Sequence, residues 1–246
     1  MTGPVDGPAP VDRHAVAARL ADVRRRIAGA GGDDGIRVLA VTKGFGPDAV
    51  EAALELGLTA VGENYAQELV AKVEALGTDR DPMPRWHFLG RLQRNKVRLL
   101  APHVGVWESV DRGPLVDEIA KRAPGAVVYV QVDLSGEPQK GGAAPAEVPG
   151  LVARARDAGL AVRGLMGVGP AGPAEAARPG FRMLVALADE LGLVERSIGM
   201  TGDLEVAVAE GATEVRVGTA LFGPRPSRAD PPSPSSGGAP SPSDGG

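Results

Sequence analysis

The sequence predicts a single (β/α)8 barrel. Three observations carry this. Eight short apolar runs have the length and β-branched content of strands. Nearly every pair of them is separated by a stretch with helical periodicity. The alternation continues without an internal linker over residues 12–223. Alternating βα units imply a parallel sheet. Eight such units in a span of this size suit one closed barrel, with a doubly wound open sheet as the alternative.

The elements follow in order. Residues 12–28 place Val16, Leu20, Val23 and Ile27 on one helical face, with Asp12 as a candidate N-cap. The run 36–42 is strand-like, and 47–56 is a helix with Pro47 in its first turn. Strand 58–62, helix 65–76, strand 86–89 and helix 93–101 come next. Strand 104–108, helix 114–122, strand 127–132 and helix 146–158 follow. Strand 162–168, a helix around 181–191, strand 196–199, helix 204–210 and strand 214–217 complete the series. No eighth helix is expected after Gly223, and the leading helix is expected to cover the bottom of the barrel or its seam.

The flanks differ in composition. Residues 1–11 are Gly- and Pro-rich, and residues 224–246 are almost entirely Pro, Ser and Gly with few large apolar side chains. Such segments cannot bury enough surface to offset their ordering entropy, so both are expected to be flexible. The barrel is expected to be one domain over 12–223.

Composition narrows the chemistry. The 246 residues are 43% hydrophobic and 24% charged, with a net charge of −4, no Cys and three His. Disulfides, thiolate metal sites and a Cys nucleophile are excluded, and no metal site is expected. A mildly acidic chain without a basic patch is not expected to bind nucleic acid. No apolar run is long enough to span a bilayer, and the N-terminus lacks the apolar core of a secretory signal. A cytoplasmic protein is expected.

In a barrel of this type, function sits at the C-terminal ends of the strands. Lys43 follows the first apolar strand, and it is one of five Lys against 22 Arg. Only Lys, of the two, can lose its proton and condense with a carbonyl. The same position also suits a Lys that simply ends a strand and reaches solvent. Thr201-Gly-Asp203 opens a helix, and Gly218-Thr219 follows the last strand. The loops after strands 7 and 8 often hold phosphate in barrel enzymes, although Thr, Asp and Gly there also fit ordinary capping. Arg216 shares a face with Gly218, and that face is either the lumen or the outside. His87 is a candidate base or a packed, hydrogen-bonded core residue. Arg91, Arg94, Lys96 and Arg98 fit a solvated helix face, and residues 133–142 form a polar loop over the rim.

Taken together, these segments resemble one family. They are Ala40-Val-Thr-Lys43, Gly62-Glu-Asn-Tyr65, Trp86-His-Phe-Leu-Gly90, Leu92-Gln-Arg-Asn-Lys96, Gly164-Leu-Met166, Gly199-Met-Thr-Gly-Asp203 and Val215-Arg-Val-Gly-Thr-Ala-Leu-Phe-Gly223. In this order they resemble the pyridoxal-phosphate homeostasis proteins (YggS/PROSC type), which share the barrel of the alanine racemase N-terminal domain. The resemblance implies that Lys43 holds pyridoxal 5′-phosphate as a Schiff base. It implies that Thr201, Gly218 and Thr219 hold the phosphate and that Arg216 faces the pyridine nitrogen. With Asn64 and Met200 on the rim, the expected cofactor-binding set is Lys43, Asn64, Met200, Thr201, Arg216, Gly218 and Thr219. The family usually has Ser where Thr201 stands, which keeps the hydroxyl, and often Asn where Asp133 stands.

A guanidinium donates to the pyridine nitrogen without protonating it, and the ring is then a weak electron sink. A racemase also needs a second base, which alanine racemase takes from a second domain. The expected function is therefore to bind the cofactor and to buffer or deliver it, with little or no catalysis. A pyridoxal-phosphate racemase and a class I aldolase-type Schiff-base barrel are the alternatives. Apoenzymes that need the cofactor are the expected partners, and a monomer is the expected state.

Overall fold

The computed structural model describes residues 11–77, 81–137 and 139–225. The flexible segments expected at the two ends lie outside the described residues, apart from Val11, Pro224 and Arg225. Eight parallel strands close into a barrel in sequence order. They are β1 (Arg37–Val41), β2 (Ala60–Glu63), β3 (Arg85–Phe88), β4 (Val104–Val110), β5 (Val127–Val132), β6 (Ala161–Gly167), β7 (Glu195–Ser197) and β8 (Glu214–Val217). Closure comes from β1, which sets Ala40 opposite Val61 of β2 and Leu39 opposite Arg216 of β8.

The helices are α1 (Arg13–Gly29), α2 (Pro47–Glu55), α3 (Ala66–Leu76), α4 (Arg94–Leu100), α5 (Gly113–Arg122), α6 (Val148–Asp157), α7 (Arg178–Glu190), α8 (Leu204–Ala209) and α9 (Thr219–Phe222). Asp12 caps α1, accepting from the His14 and Ala15 N–H groups at 3.0 and 3.2 Å. The face Val16, Leu20, Val23 and Ile27 is buried as its spacing requires. These side chains join one continuous layer between sheet and helices, in which Trp107, Leu69, Leu115, Phe181 and Val215 are fully buried. Burial of each such side chain stabilises by roughly 1.5–3 kcal/mol.

α1 settles the missing eighth helix. It packs against α9, α8 and α2, and so fills the sector of the ring after β8. Arg13 pairs with Glu51 and Glu55 of α2 at one end, and Arg26 pairs with Glu205 of α8 at the other. Several boundaries differ from the sequence expectation by two or three residues, and one element is new. α9 is a four-residue helix, too short to show a periodicity. α7 starts at Arg178 rather than near 181. β7 stops at Ser197, because Gly199 turns the chain with φ +91°.

The inside of the barrel is unusual. Bulky aliphatic layers are the norm. Here Val106, Tyr129 and Met166 form a small apolar cluster. Around it lie His87, Glu108, Gln131, Ser197, Glu214 and Arg216, all buried.

Candidate ligand site at the C-terminal rim

A cavity of about 470 Å³ opens at the C-terminal ends of the strands. Lys43, Asn64, Met200, Thr201, Arg216, Gly218 and Thr219 all line it. The structure thus brings the seven expected residues together from four strand ends. A second cavity of about 500 Å³ lies at the N-terminal end of the strands, against Arg24, Asp33, Asp34 and Arg37. No lysine lines it, and that end of the fold is the stability face.

Lys43 sits two residues beyond the end of β1 and is half-buried. Burial, with the Arg225 and Arg216 charges nearby, lowers its pKa from the usual lysine range, against the opposing pull of Glu63 and Glu68. A lowered pKa enlarges the neutral, nucleophilic fraction of the amine. Gly44 follows with φ +77°, a conformation that a side chain would strain. Beside it, Gly90 brings β3 against the β2 loop. A Cβ at Gly90 would lie 1.9 Å from the Asn64 carbonyl oxygen, so only glycine allows this approach.

Beside the lysine, on the side where β8 pairs with β1, the loops after β7 and β8 converge. Thr201 Oγ1 and Thr219 Oγ1 are 3.5 Å apart although they are 18 residues apart in the chain. Asp203 stands at the N-cap of α8, but its side chain makes no cap hydrogen bond. It accepts instead from the Met200 N–H at 2.6 Å and closes the loop on itself. Ordinary capping therefore does not account for this segment. Arg26 of α1 donates to the Thr201 carbonyl at 2.8 Å and fixes the loop from behind.

Arg216 points into the lumen, which decides between its two expected orientations. It donates to the Ser197 carbonyl (2.5 Å), to Ser197 Oγ (2.8 Å) and to the Gly167 carbonyl (2.6 Å). Ser197 Oγ donates in turn to Glu108 at 2.6 Å, and Glu108 meets His87 Nδ1 at 2.5 Å. His87 is thus a hydrogen-bonded core residue. Burial alone would raise the Glu108 pKa, but the bond to His87 and the charges of His87 and Arg216 pull it below the usual carboxylate range. One ligand atom each from His87, Glu108 and Glu214 lies within 4.8 Å of the others.

Glu214 titrates the other way. Its Oε1 has no hydrogen-bond partner among the described residues. Burial and the Glu108 charge push its pKa up to about 7. A carboxyl whose folded pKa is raised stabilises fully below its unfolded value and loses that contribution as pH rises through the folded one. Wild type is therefore expected to lose stability relative to Glu214→Gln between pH 5 and 8, by on the order of 2 kcal/mol. Gln copies the protonated acid and carries no such titration. Urea unfolding of both proteins across that range checks this; parallel pH curves would remove Glu214 as the titrating group.

The remaining residues are placed as follows. Tyr65, 57% exposed, stands at the N-cap position of α3 without a side-chain cap bond and does not line the cavity. Tyr129 is buried in the lumen, and burial raises its pKa. Arg91, Arg94 and Arg98 are exposed, as a solvated face requires, and Arg91 also reaches the cavity. The rim loop contributes Lys140, which donates to Glu137 at 2.5 Å and to the Gly169 carbonyl at 2.9 Å. Arg225 lines the cavity as well, although its sequence context placed it in the tail. No helix among the described residues is long and apolar enough to cross a membrane.

Residues 11–226 match the family model described as alanine racemase, N-terminal domain. A pyridoxal phosphate homeostasis protein of Pseudomonas aeruginosa is 40% identical over 220 residues, covering 85% of this chain and 93% of that protein. One from Aquifex aeolicus is 41% identical over 207 residues, covering 79% and 89%. Among solved structures, PipY of Synechococcus elongatus without pyridoxal phosphate (PLP) aligns with a TM-score of 0.77 at 34% identity, over 84% of this chain and 99% of PipY. PipY with PLP bound aligns at 0.72 and 32% identity, covering 84% and 99%. An alanine racemase from Bacillus anthracis shares the fold at a TM-score of 0.68 and 18% identity, and this chain covers 60% of it. The barrel, the lysine after its first strand and these matches across most of both chains show that the protein belongs to the pyridoxal phosphate homeostasis family, within the alanine racemase N-terminal domain fold.

Proposed function

We propose that this protein binds pyridoxal 5′-phosphate in the rim cavity, holds it through Lys43 as a Schiff base, and buffers or delivers it within the cell. The observation that carries this is the meeting, in one cavity, of an amine of lowered pKa, a converging pair of hydroxyls and a buried guanidinium. The donor set fits the group. The amine suits the aldehyde, Thr201, Thr219 and side-chain-free Gly218 suit the phosphate, and Arg216 suits an unprotonated pyridine nitrogen. A volume of about 470 Å³ is also in the range of small-ligand sites. Asn64 and Met200 complete the wall.

When bound, the cofactor would supply an electron sink, and a guanidinium such as Arg216 beside the ring nitrogen would weaken it by donating without protonating. Among the described residues lining the cavity there is no Asp, Glu, His or Tyr. Of the two lysines, Lys140 is held by Glu137 and the Gly169 carbonyl. Apoenzymes that require the cofactor are the proposed recipients, and the proposed state is a monomer in the cytoplasm.

The test is to add pyridoxal phosphate to the purified protein, record the visible spectrum, reduce with borohydride and map the peptides. A visible band abolished by borohydride, with the pyridoxyl mass on the Lys43 peptide, is expected. No band and no adduct would overturn the assignment.

A further inference from the structure

The two peptide groups that flank Lys43 are both held by side chains of one helix. Before it, Lys72 Nζ donates to the Thr42 carbonyl at 2.7 Å. After it, the Gly44 N–H donates to Glu68 Oε2 at 2.8 Å. Glu68 and Lys72 are four residues apart on α3, so they stand one turn apart on the same face. Thr42 is fixed twice more. Its N–H donates to the Gly62 carbonyl at 3.0 Å, and its hydroxyl donates to Glu63 Oε1 at 2.5 Å.

The anchor is costly. The Lys72 side chain is 5% exposed and forms an ion pair with Glu63, which is 0% exposed. Burying two charges costs several kcal/mol per ion before their attraction offsets it, and an apolar pair of similar volume is often as stable. A purely structural account of this pair is therefore weak. Its donors and acceptors converge on the residue before Lys43. Thr42 is also the last residue of this segment whose N–H bonds to the neighbouring strand, one residue past the end of β1 at Val41.

We infer that Glu68 and Lys72 are positioning residues, a clamp from α3 that fixes the backbone on both sides of Lys43 and so aims its amine at the incoming aldehyde. The inference rests on the proposed Schiff base at Lys43. In that step the Lys43 nitrogen bonds to the aldehyde carbon, and the carbonyl oxygen departs as water with the two amine protons. The clamp touches none of these atoms. It acts through the orientation of the attacking nitrogen, where a misplacement of about 1 Å costs on the order of 100-fold in rate.

Charge and position predict opposite signs at Glu68. The Glu68 carboxylate helps keep Lys43 protonated. Removing it would free more neutral amine and speed attack. Losing the clamp would slow attack.

The experiment follows formation of the visible band after mixing apoprotein with pyridoxal phosphate. Equilibrium binding of pyridoxamine 5′-phosphate, which has the ring and phosphate but no aldehyde, reports the cavity without the covalent step. Glu68→Ala is expected to slow band formation about tenfold and to leave pyridoxamine phosphate affinity within about twofold. Glu68→Gln keeps an acceptor for the Gly44 N–H and is expected to restore the rate. The matched double variant Glu63→Gln/Lys72→Met removes the other arm without stranding a charge and is expected to slow the step as well. An unchanged rate in Glu68→Ala, no rescue by Glu68→Gln, or a parallel loss of pyridoxamine phosphate binding overturns the clamp. If the double variant does not fold, the Glu68 pair decides alone. Wild type without a borohydride-trapped adduct on Lys43 would instead overturn the functional assignment beneath it.

Discussion

Lys43→Ala is expected to bind pyridoxal phosphate without any visible Schiff-base band and at least tenfold more weakly than wild type. The substitution removes the cavity amine of lowered pKa, and with it the proposed covalent bond. The remaining wall still offers Thr201, Thr219, Gly218 and Arg216, so residual non-covalent binding is expected to compete with inorganic phosphate. Folding should not suffer. The lysine is half-buried beside Arg216 and Arg225, and its lowered pKa means that the folded state disfavours its charge at neutral pH. Removing it is therefore expected to leave the melting temperature equal or slightly higher. Lys43→Arg separates charge from chemistry, since it keeps a cation that forms no imine under these conditions. Fluorescence titration with the cofactor, beside thermal melts, checks all three. A wild-type band in Lys43→Ala would move the covalent site to another lysine.

The second large effect is expected at Arg216. Replacement by Met keeps much of the volume and removes every donor. The Ser197 and Gly167 carbonyls then lose their buried partner, and Glu108 loses a neighbouring positive charge. Breaking a buried charge network from one side costs about 3–5 kcal/mol. For a domain of this size that corresponds to a fall in melting temperature of roughly 10 °C. Arg216→Met/Glu108→Gln removes both charges, and their coupling predicts partial recovery. Cofactor affinity measured below the lowered melting temperature should also fall, because the proposed donor for the ring nitrogen is gone. A melt unchanged in Arg216→Met would show that the lumen network contributes little to stability.

That Lys43 and the loops after β7 and β8 meet at one rim was legible in the sequence for physical reasons. A lysine just beyond an apolar run ends a strand, and in a barrel the strand ends gather at one face. Gly and Thr after the last two strands end those strands at the same face. The strand order was legible because buried parallel strands are short continuous apolar runs. The lumen network was not. Glu108 and Glu214 lie on strands where alternation offers two faces, and a charged residue is ordinarily assigned to the wet one. The signal was nevertheless present in β8, since Glu214 and Arg216 must share a face. Lys72 was hidden in the same way, as a lysine in an amphipathic helix that burial turned inward. Arg225 was hidden by the Pro- and Ser-rich composition of the residues that follow it. α9 was hidden by its length, and α1 by its order, because a helix that precedes the first strand gives no sign that it completes the ring.

Barrel closure pairs the earliest strand with the last. Arg37 of β1 lies opposite Glu214 of β8, and the cavity inherits this separation. Lys43 is translated early, whereas Met200, Thr201, Arg216, Gly218 and Thr219 all come from the closing stretch. A nascent chain that has emerged only through β6 carries Lys43 without the part of the wall that these residues form. Contacts this distant in sequence also form late, after the loop-closure entropy has been overcome. Assembly of the binding wall and completion of the β-sheet are therefore one event in folding time. Partially made or partially opened molecules would present Lys43 as an ordinary surface lysine, so under the proposed function cofactor capture would be confined to chains that have finished folding.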